Sequence, residues 1–229
     1  MTAVVVFDLD GTLIDSLADL AAAANRMLSD QRLPALPQET IRGFVGNGLP
    51  KLVERVMTHC ALDPERHSEL TQLTLTHYNA GACDRTTVYP GVVGALDELR
   101  KMGCVLGICT NKPEAPARHV LSELNLLTYF DAVLGGDTLE TRKPDPAHLH
   151  ASFDALPSVG PRLFVGDSEV DAETAQRAQV PFLLFERGYR KSPVSALPHT
   201  LSYDNSAALP DLVRQIVQDE ALQARPQKD

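Results

Sequence analysis

Hydrophobic residues are distributed along the chain in two patterns that predict different elements. Short, mostly apolar runs predict β-strands buried on both faces, and they stand at residues 4–7, 105–111, 132–136, 163–167 and 181–185. Apolar residues recurring every three or four positions predict helices at residues 16–29, 38–44, 51–60, 64–78, 88–100, 114–124, 146–155, from 171 onward, and 209–222. The end of the chain, residues 223–229, is expected to fray.

The two patterns alternate over most of the chain, which predicts an α/β fold with a Rossmann-like parallel sheet covered by helices on both faces. The alternation is broken once, because residues 16–80 show helical patterns and no strand pattern. We therefore expect residues 1–15 and 85–229 to form the sheet core. Residues 16–84 are expected to form an all-helical cap domain inserted into that core.

Composition and charge restrict the classes of partner. The 229 residues carry a net charge of −9, which argues against a nucleic-acid or membrane-surface partner. No apolar run approaches the roughly 20 residues of a membrane span. The four cysteines have no zinc-site or redox spacing, and Met1 leads almost directly into the first strand without a signal-peptide pattern. We expect a cytoplasmic protein that is a monomer or a homodimer.

Polar side chains follow three of the predicted strands at the point where each strand ends. The carboxyl ends of parallel strands lie along one edge of a sheet, and ligands bind at that edge in folds of this class. We therefore expect these side chains to gather in one site: Asp8 and Asp10, then Thr110, Asn111 and Lys112, then Asp167 and Ser168.

The carboxylates of this group predict a metal site. Asp8 and Asp10 are two positions apart, so their side chains point the same way while Leu9 faces the interior. Clustered carboxylates repel one another, and Asp167 adds a third. Mg²⁺ prefers such oxygen ligands and commonly shares them with a substrate phosphate. We predict Mg²⁺ at these three aspartates; the alternative is that the DLDGT segment at 8–12 is only a turn after a strand.

Three further polar residues are candidates for binding a phosphate group. Lys143 lies in a stretch stiffened by two prolines, and its ammonium could hold Asp8 ionised and attract phosphate. Thr110 and Asn111 could donate hydrogen bonds to a phosphate oxygen. The alternatives are a solvated loop lysine at Lys143 and a helix cap at Thr110 and Asn111.

The acidic segment that follows Asp167 permits two interpretations. Asp171 stands four residues after Asp167, so a helix that starts there places both carboxylates on one face. Asp171 is therefore either part of the site or an acid that stabilises the start of a helix. The roles of Ser168 and Glu169 stay open, and Ser168 is suited to cap the helix.

The predicted cap contains one loop that is suited to contact with a substrate. Gly46, Asn47 and Gly48 form a GNG turn, in which glycine allows the backbone to approach a ligand closely. Backbone N–H groups of this loop could bind a small carboxylate, and Arg42 nearby could add positive charge. The alternative is an ordinary turn between two helices.

Four segments of the chain, taken in order, resemble the haloacid dehalogenase superfamily of phosphotransferases. They are DLDGT at 8–12, TN at 110–111, KP at 143–144 and GDSEVD at 166–171. The resemblance implies a parallel Rossmann-like core and, in one class, a helical cap after the first motif. Longer stretches, such as FDLDGTLIDSLADLAAAANRML and TNKPEAPARHVL, are similar to the phosphoglycolate phosphatases of this superfamily.

The resemblance also implies roles for the candidate residues. Asp8 would be the nucleophile that forms an aspartyl-phosphate, and Asp10 would be the general acid and then the general base. Asp8, the backbone carbonyl of Asp10, and Asp167 would hold Mg²⁺. The residues implied to bind the phosphoryl group, or to support the metal site or its lysine, are Thr110, Lys143 and Asp171.

These residues lead us to expect a Mg²⁺-dependent phosphatase that hydrolyses a small phosphorylated metabolite, and the resemblance implies 2-phosphoglycolate. A sugar phosphate, a nucleotide or pyrophosphate is the alternative substrate for the same chemistry. A phospho-accepting signalling module is a further alternative, because such modules also gather acids around Mg²⁺. A signalling module needs neither a long helical insert nor Asp10 as a proton carrier.

Overall fold

The fold comes from a computed structural model that describes residues 2–81, 83–158 and 160–223. Within these residues the strands are β1 (Val4–Phe7), β2 (Ile14–Asp15), β3 (Thr87–Val88), β4 (Val105–Cys109), β5 (Ala132–Leu134), β6 (Arg162–Gly166), β7 (Phe182–Phe185) and β8 (Leu201–Tyr203). The helices are α1 (Leu17–Asp30), α2 (Gln38–Arg42), α3 (Leu49–His59), α4 (His67–Ala80), α5 (Val92–Lys101), α6 (Glu114–Glu123), α7 (Pro146–Asp154), α8 (Glu169–Ala178) and α9 (Leu209–Gln223). None of these helices is long and apolar enough to cross a membrane.

Six of the strands form one sheet in the order β5-β4-β1-β6-β7-β8. Every neighbouring pair in this sheet is parallel, and Phe7 of β1 lies opposite Ile108 of β4 and Val165 of β6. The carboxyl ends of β4, β1 and β6 therefore lie along the same edge of the sheet, level with one another to within one or two residues. The sequence prediction of a Rossmann-like α/β sheet is confirmed.

Helices cover both faces of the sheet because alternate residues of a strand point to opposite sides. Val5 and Phe7 of β1 belong to a buried apolar cluster that includes residues of α5, α6 and α9. Val4 and Val6 belong to another, which includes residues of α7 and α8. Each fully buried aliphatic side chain contributes about 1.5–3 kcal/mol, so burial on both faces fixes the register of the central strand.

A third apolar cluster lies in the helical cap, the segment of α1 to α4 between β2 and β3. Residues of these helices form it, and Tyr189 from the sheet core joins it. Asp19 of α1 accepts hydrogen bonds from the backbone N–H of Thr86 at 2.9 Å and from its hydroxyl at 2.6 Å, so the end of the cap is tied to its start. The cap boundary at 16–84 stays a prediction, and the separate cluster supports it.

Element boundaries differ from the sequence predictions mainly where helices start. α3 begins at Leu49 rather than at residue 51, and α8 begins at Glu169 rather than at 171. The stretch predicted as one helix from Pro64 is a short 3₁₀ turn followed by α4. Of the end predicted to fray, residues 224–229 lie outside the described residues.

Candidate active site

The polar ends of β1, β4 and β6 line a cavity between the sheet and the helical cap. The cavity encloses about 730 Å³ when its opening to solvent is included, which suits a small molecule. The cap contributes apolar wall residues that include Leu20, Val45, Leu49, Leu52 and Leu75. The charged residues that line the cavity are Asp8, Asp10, Lys112, Lys143 and Asp167.

Lys143 lies between two carboxylates at the inner end of the cavity. Its Nζ is 2.8 Å from Oδ1 of Asp8 and 2.7 Å from Oδ1 of Asp171. Burial lowers the pKa of Lys143, but attraction to Asp171 and Asp8 outweighs burial and raises this pKa above its usual range. Asn111 donates a 2.9 Å hydrogen bond from Nδ2 to the Lys143 carbonyl. Lys143 is therefore a fixed and charged ammonium beside Asp8.

Asp8, Asp167 and Asp171 form a compact group of buried acids. One carboxylate oxygen from each lies within 4.8 Å of the others. Burial raises the pKa of Asp8 to about 7, with Lys143 opposing the shift and Asp171 adding to it. Burial also raises the pKa of Asp167 well above its ordinary value, and Asp171 and Asp8 add to this effect. The carboxylates of Asp8 and Asp167, which burial makes costly to ionise, are ligands suited to a hard divalent cation such as Mg²⁺, whereas the two oxygens of Asp171 contact Lys143 and Ser168.

Two glycines let the backbone approach Asp167 closely. A Cβ on Gly11, whose φ is +94°, would lie 2.6 Å from a carboxylate oxygen of Asp167. A Cβ on Gly188 would lie 2.2 Å from the same carboxylate. Thr12 donates a 2.7 Å hydrogen bond to Oδ1 of Asp167, and the backbone N–H of Tyr189 donates one of 2.6 Å to Oδ2. The turn after β1 thus positions an acid that follows β6.

Asp10 contacts Lys112, a residue to which the sequence pattern assigns no role. Lys112 Nζ lies 3.0 Å from Oδ1 and 3.3 Å from Oδ2 of Asp10, and it donates a 2.6 Å hydrogen bond to the hydroxyl of Tyr78 in α4. The Ser16 hydroxyl donates to Oδ1 of Asp10 at 2.5 Å. Burial lowers the pKa of Lys112, but Asp10 and Tyr78 together outweigh burial and raise this pKa. The partners of Lys112, Asp10 and Tyr78, lie 102 and 34 positions away along the chain, so local spacing does not indicate this contact.

Thr110 and Asn111, the sequence candidates at the end of β4, both line the cavity. Thr110 Oγ1 accepts a 3.2 Å hydrogen bond from the backbone N–H of Lys112, which leaves the hydroxyl proton for a ligand. The amide of Asn111 is directed at the Lys143 carbonyl, and its Oδ1 has no partner among the described atoms. Asn111 therefore positions the lysine segment, whereas Thr110 presents a donor to the cavity.

Asp171 satisfies both interpretations of the acidic segment. One of its oxygens accepts hydrogen bonds from the backbone N–H and the hydroxyl of Ser168, at 3.1 and 2.6 Å, in a capping box at the start of α8. Its other oxygen forms the 2.7 Å ion pair with Lys143. Ser168 therefore caps the helix, as expected. Glu169 accepts backbone hydrogen bonds of 2.8 and 2.7 Å from residues 191–192 and holds the loop after β7.

The cap candidates from the sequence fall into two groups. Gly46 and Gly48 line the cavity, and a Cβ on Gly48 would lie 3.1 Å from the Asn111 carbonyl oxygen, so this loop rests on the end of β4. Asn47 instead accepts a 3.0 Å hydrogen bond from an arginine side chain of α3. Arg42 donates to a backbone carbonyl of the loop after β7 at 2.9 Å and does not line the cavity.

Tyr189 connects the loop after β7 to the start of the cap. Its hydroxyl accepts hydrogen bonds from the backbone N–H groups of Ser16 at 2.8 Å and Leu17 at 3.1 Å, and it donates one of 2.8 Å to Oδ1 of Asp15. Its ring is buried in the apolar cluster of the cap. No local sequence pattern indicates this role, because all three partners lie far away along the chain.

Comparisons with known proteins agree with this fold. The family model described as haloacid dehalogenase-like hydrolase matches residues 5–185. A phosphoglycolate phosphatase from Cereibacter sphaeroides is 45% identical over 215 residues, which cover 93% of this chain and 98% of the relative. One from Rhodobacter capsulatus is 40% identical, with 93% and 97% covered. A crystal structure described as a predicted phosphoglycolate phosphatase from Haemophilus somnus has a TM-score of 0.83 at 28% identity, covering 92% of this chain and 97% of that chain.

The family match extends from β1 to β7 and therefore includes every site residue that was predicted from the sequence. The resemblance carried by the four sequence segments is confirmed. The prediction of an enzyme of phosphatase type is confirmed by the same family model and relatives. The chain belongs to the haloacid dehalogenase-like hydrolase family.

Proposed function

We propose that this hydrolase is a Mg²⁺-dependent phosphatase that converts 2-phosphoglycolate to glycolate and phosphate. The observation that carries the proposal is the 2.8 Å pairing of Asp8 with Lys143, next to Asp167 in a small cavity. A carboxylate held beside a fixed ammonium and a group of metal-binding oxygens is placed to attack a phosphoryl group, because the same positive charges attract that group.

Asp8 is the nucleophile in the proposed reaction. One of its carboxylate oxygens forms a bond to phosphorus while the ester P–O bond breaks, which gives an aspartyl-phosphate. Asp10 lines the same cavity and donates a proton to the leaving alkoxide. Asp10 then takes a proton from the water that attacks phosphorus, and the bond between Asp8 and phosphorus breaks. Phosphate leaves, and both carboxyl groups return to their initial states.

Other residues neutralise and orient the phosphoryl oxygens. Lys143 supplies a fixed positive charge, and the free hydroxyl proton of Thr110 supplies a hydrogen bond. Asp171 keeps Lys143 in position through their 2.7 Å ion pair. Mg²⁺, when bound by Asp8, the backbone carbonyl of Asp10, and Asp167, supplies the positive charge that offsets repulsion between a carboxylate and a phosphate.

The substrate assignment is supported by relatives and by the cavity. The Cereibacter and Rhodobacter proteins are named phosphoglycolate phosphatases and match this chain over nearly their full length. The cavity has a volume that suits a small phosphate ester. The presence of Asp10 inside a cavity roofed by a cap favours an enzyme over a signalling module. The net charge of −9 argues against nucleic-acid and membrane-surface partners, and we propose a cytoplasmic enzyme that is a monomer or a homodimer.

Asp8→Asn tests the proposed nucleophile with a change of one atom. We expect release of phosphate from 2-phosphoglycolate in the presence of Mg²⁺ to fall by at least about 1000-fold, because the amide is a poor nucleophile. The fold should persist by circular dichroism. Asp154→Asn is the matched control, since Asp154 is exposed and its ion-pair partner among the described residues is Arg162. Turnover near the wild-type rate in Asp8→Asn would refute the assignment.

A further inference from the structure

The cavity contains a second buried cation that does not contact the phosphoryl group in the proposed reaction. Among the described residues that line the cavity, the cations are Lys112 and Lys143. Lys143 is held between Asp8 and Asp171, where the phosphoryl group binds in the proposed reaction. Lys112 has one carboxylate partner, Asp10. When Asp10 carries the proton that it donates in the proposed reaction, Lys112 has no ionised partner among the described residues, and its positive charge is available for another part of the substrate.

Lys112 lies where the sheet core meets the helical cap. It follows β4 in the core, and its side chain is 7% exposed. Its Nζ donates the 2.6 Å hydrogen bond to the hydroxyl of Tyr78, and it lies 4.7 Å from the centre of the Tyr78 ring in α4. A substrate whose phosphoryl group lies at Asp8 extends its alcohol part toward the cap. That part therefore lies within reach of Lys112 and Tyr78.

Both residues retain hydrogen-bond donors. An ammonium carries three N–H groups, and the acceptors of Lys112 in the described structure are Asp10 and the Tyr78 hydroxyl. The Tyr78 hydroxyl accepts this bond, and no described acceptor is hydrogen-bonded to its own O–H. Two neighbouring donors, one of them charged, beside an apolar wall match the two oxygens of a carboxylate.

We propose that Lys112, assisted by Tyr78, determines specificity by binding a carboxylate on the alcohol part of the substrate. This inference rests on the proposed function and narrows its substrate class to phosphate esters of small 2-hydroxy acids. An ester with an uncharged alcohol would leave these buried donors unpaired. Sites of that kind reject analogues that lack the polar group by large factors.

The uncharged amide analogue of 2-phosphoglycolate, 2-amino-2-oxoethyl phosphate, tests this role of Lys112. The two esters differ in charge and little in size. We expect kcat/KM of the wild-type enzyme to be at least about 100-fold higher for the acid than for the amide. Lys112→Met should bring the ratio to within about threefold of one, and Lys112→Arg should keep at least about a tenfold preference. The ratio is the readout, because loss of the contact with Asp10 slows turnover of both esters alike.

Matched variants exclude general effects of charge and folding. Arg118→Met removes a cation of α6 that pairs with Glu114 outside the cavity, so the ratio should not change. Tyr78→Phe removes one neutral donor and should lower the ratio by about tenfold or less. Lys112→Gln gives a second test of the same charge if the methionine variant does not fold, as checked by circular dichroism.

Equilibrium binding separates this inference from the proposed function. Asp8→Asn protein can be titrated calorimetrically with each ester without turnover. Tighter binding of the acid, abolished by Lys112→Met, supports the inference even if the wild-type enzyme releases no phosphate, a result that would overturn the proposed function alone. Equal affinity for the two esters, or a preference that survives Lys112→Met, overturns the inference and leaves the phosphatase assignment intact.

Discussion

Two buried ammonium groups pair with three of the carboxylates at the site: Lys143 lies between Asp8 and Asp171, and Lys112 contacts Asp10. Removal of one partner from a buried pair leaves an uncompensated charge, which costs about 3–5 kcal/mol. The same contacts therefore stabilise the fold and position the groups proposed to act on a phosphate ester. Substitutions at these residues change stability and activity together, so both quantities need to be measured.

Tyr189→Phe separates a structural contact from the proposed chemistry. The substitution removes the hydroxyl that accepts hydrogen bonds from the backbone N–H groups of Ser16 and Leu17 and donates one to Asp15. The backbone N–H of residue 189, which donates to Asp167, remains. We expect a loss of about 1–3 kcal/mol in the free energy of unfolding, because two buried N–H groups lose their acceptor. Urea unfolding measures this loss.

The control for Tyr189→Phe is another tyrosine that donates to a carboxylate. Tyr129 donates a 2.7 Å hydrogen bond to Asp97 at the exposed surface. Tyr129→Phe should lower stability much less, because water replaces the lost partner. Equal losses in the two variants would show that the hydroxyl of Tyr189 does not secure the start of the cap.

The acids of the site are predictable from the sequence, whereas their partners are less so. Asp8, Asp10 and Asp167 follow apolar strands directly, and parallel strands bring such positions to one edge. Lys112 and Tyr189 acquire their roles through contacts with residues 102 and 174 positions away. Local spacing does not contain that information, because it depends on how the cap sits on the sheet.

At the scale of elements, long periodic segments are predictable and very short strands are not. The strands of the central sheet up to β7 appear as apolar runs, and the helices appear as repeats of three or four residues. β2 and β3 contain two residues each, which is too short for a measurable period, and they form because they pair with each other. β8 and β5 contain three residues each, but β8 has a serine between its two apolar residues, whereas β5 is wholly apolar and is predicted from the sequence.

Gly48→Ala tests the contact between the cap loop and the end of β4. The added Cβ would lie 3.1 Å from the Asn111 carbonyl oxygen, at a φ of +80°. We expect KM for 2-phosphoglycolate to rise by about tenfold or more, because the displaced loop alters the cavity wall. Steady-state kinetics measure the change.

Gly46→Ala is the control for backbone strain at Gly48. Gly46 has a φ of +129°, and a Cβ there would meet nothing within 4 Å. Both variants should lose stability, since alanine is strained at either φ. Only Gly48→Ala should change KM strongly. An equal rise in KM for both variants would assign the effect to strain rather than to the close approach.

α7 carries a buried histidine that makes stability depend on pH. His148 is fully buried, and its Nε2 lies 3.0 Å from the Gly135 carbonyl oxygen. Burial, with the nearby charge of Lys143, lowers the pKa of His148 from 6.5 to about 4. The unfolded chain therefore binds the proton first, so stability falls as the pH drops from about 6.5 to about 4.

His148→Gln should flatten this part of the pH profile. We expect the difference in unfolding free energy between wild type and variant to change by at most about 3 kcal/mol across the window, because the variant has no group to protonate. The titration of Asp8 changes stability in the opposite direction. Both proteins contain Asp8, so its contribution cancels when their unfolding free energies are subtracted. Parallel profiles from urea unfolding would contradict the prediction.

For the whole molecule, divalent metal should stabilise the fold in a pH-dependent way. The pKa of Asp8 is raised from 3.8 to about 7, so without metal the folded state loses stability as the pH rises through this range. Mg²⁺ binds the ionised carboxylates and offsets that loss. We expect millimolar Mg²⁺ to raise Tm by several degrees at about pH 8 and by much less at about pH 5.

Asp167→Asn identifies the source of the metal effect. The variant keeps the shape of a proposed ligand but removes its charge, so the Mg²⁺-dependent rise in Tm should largely disappear at about pH 8. Asp154→Asn, at the exposed surface, should keep the full effect. A rise in Tm that is equal at both pH values, or that persists in Asp167→Asn, would contradict a metal site at these acids.

The antiparallel pairing of β2 with β3 places the two ends of the cap side by side, with Ile14 opposite Val88. Antiparallel strands can be closed by a two-residue turn, so residues 16 and 86 could be joined without displacing the sheet. The cap could therefore be exchanged as a unit. Grafting the cap of a relative onto this core would replace one wall of the cavity together with Tyr78. The nucleophile, the proposed metal ligands and both buried lysines would stay behind, so such chimaeras would vary substrate choice while keeping the reaction.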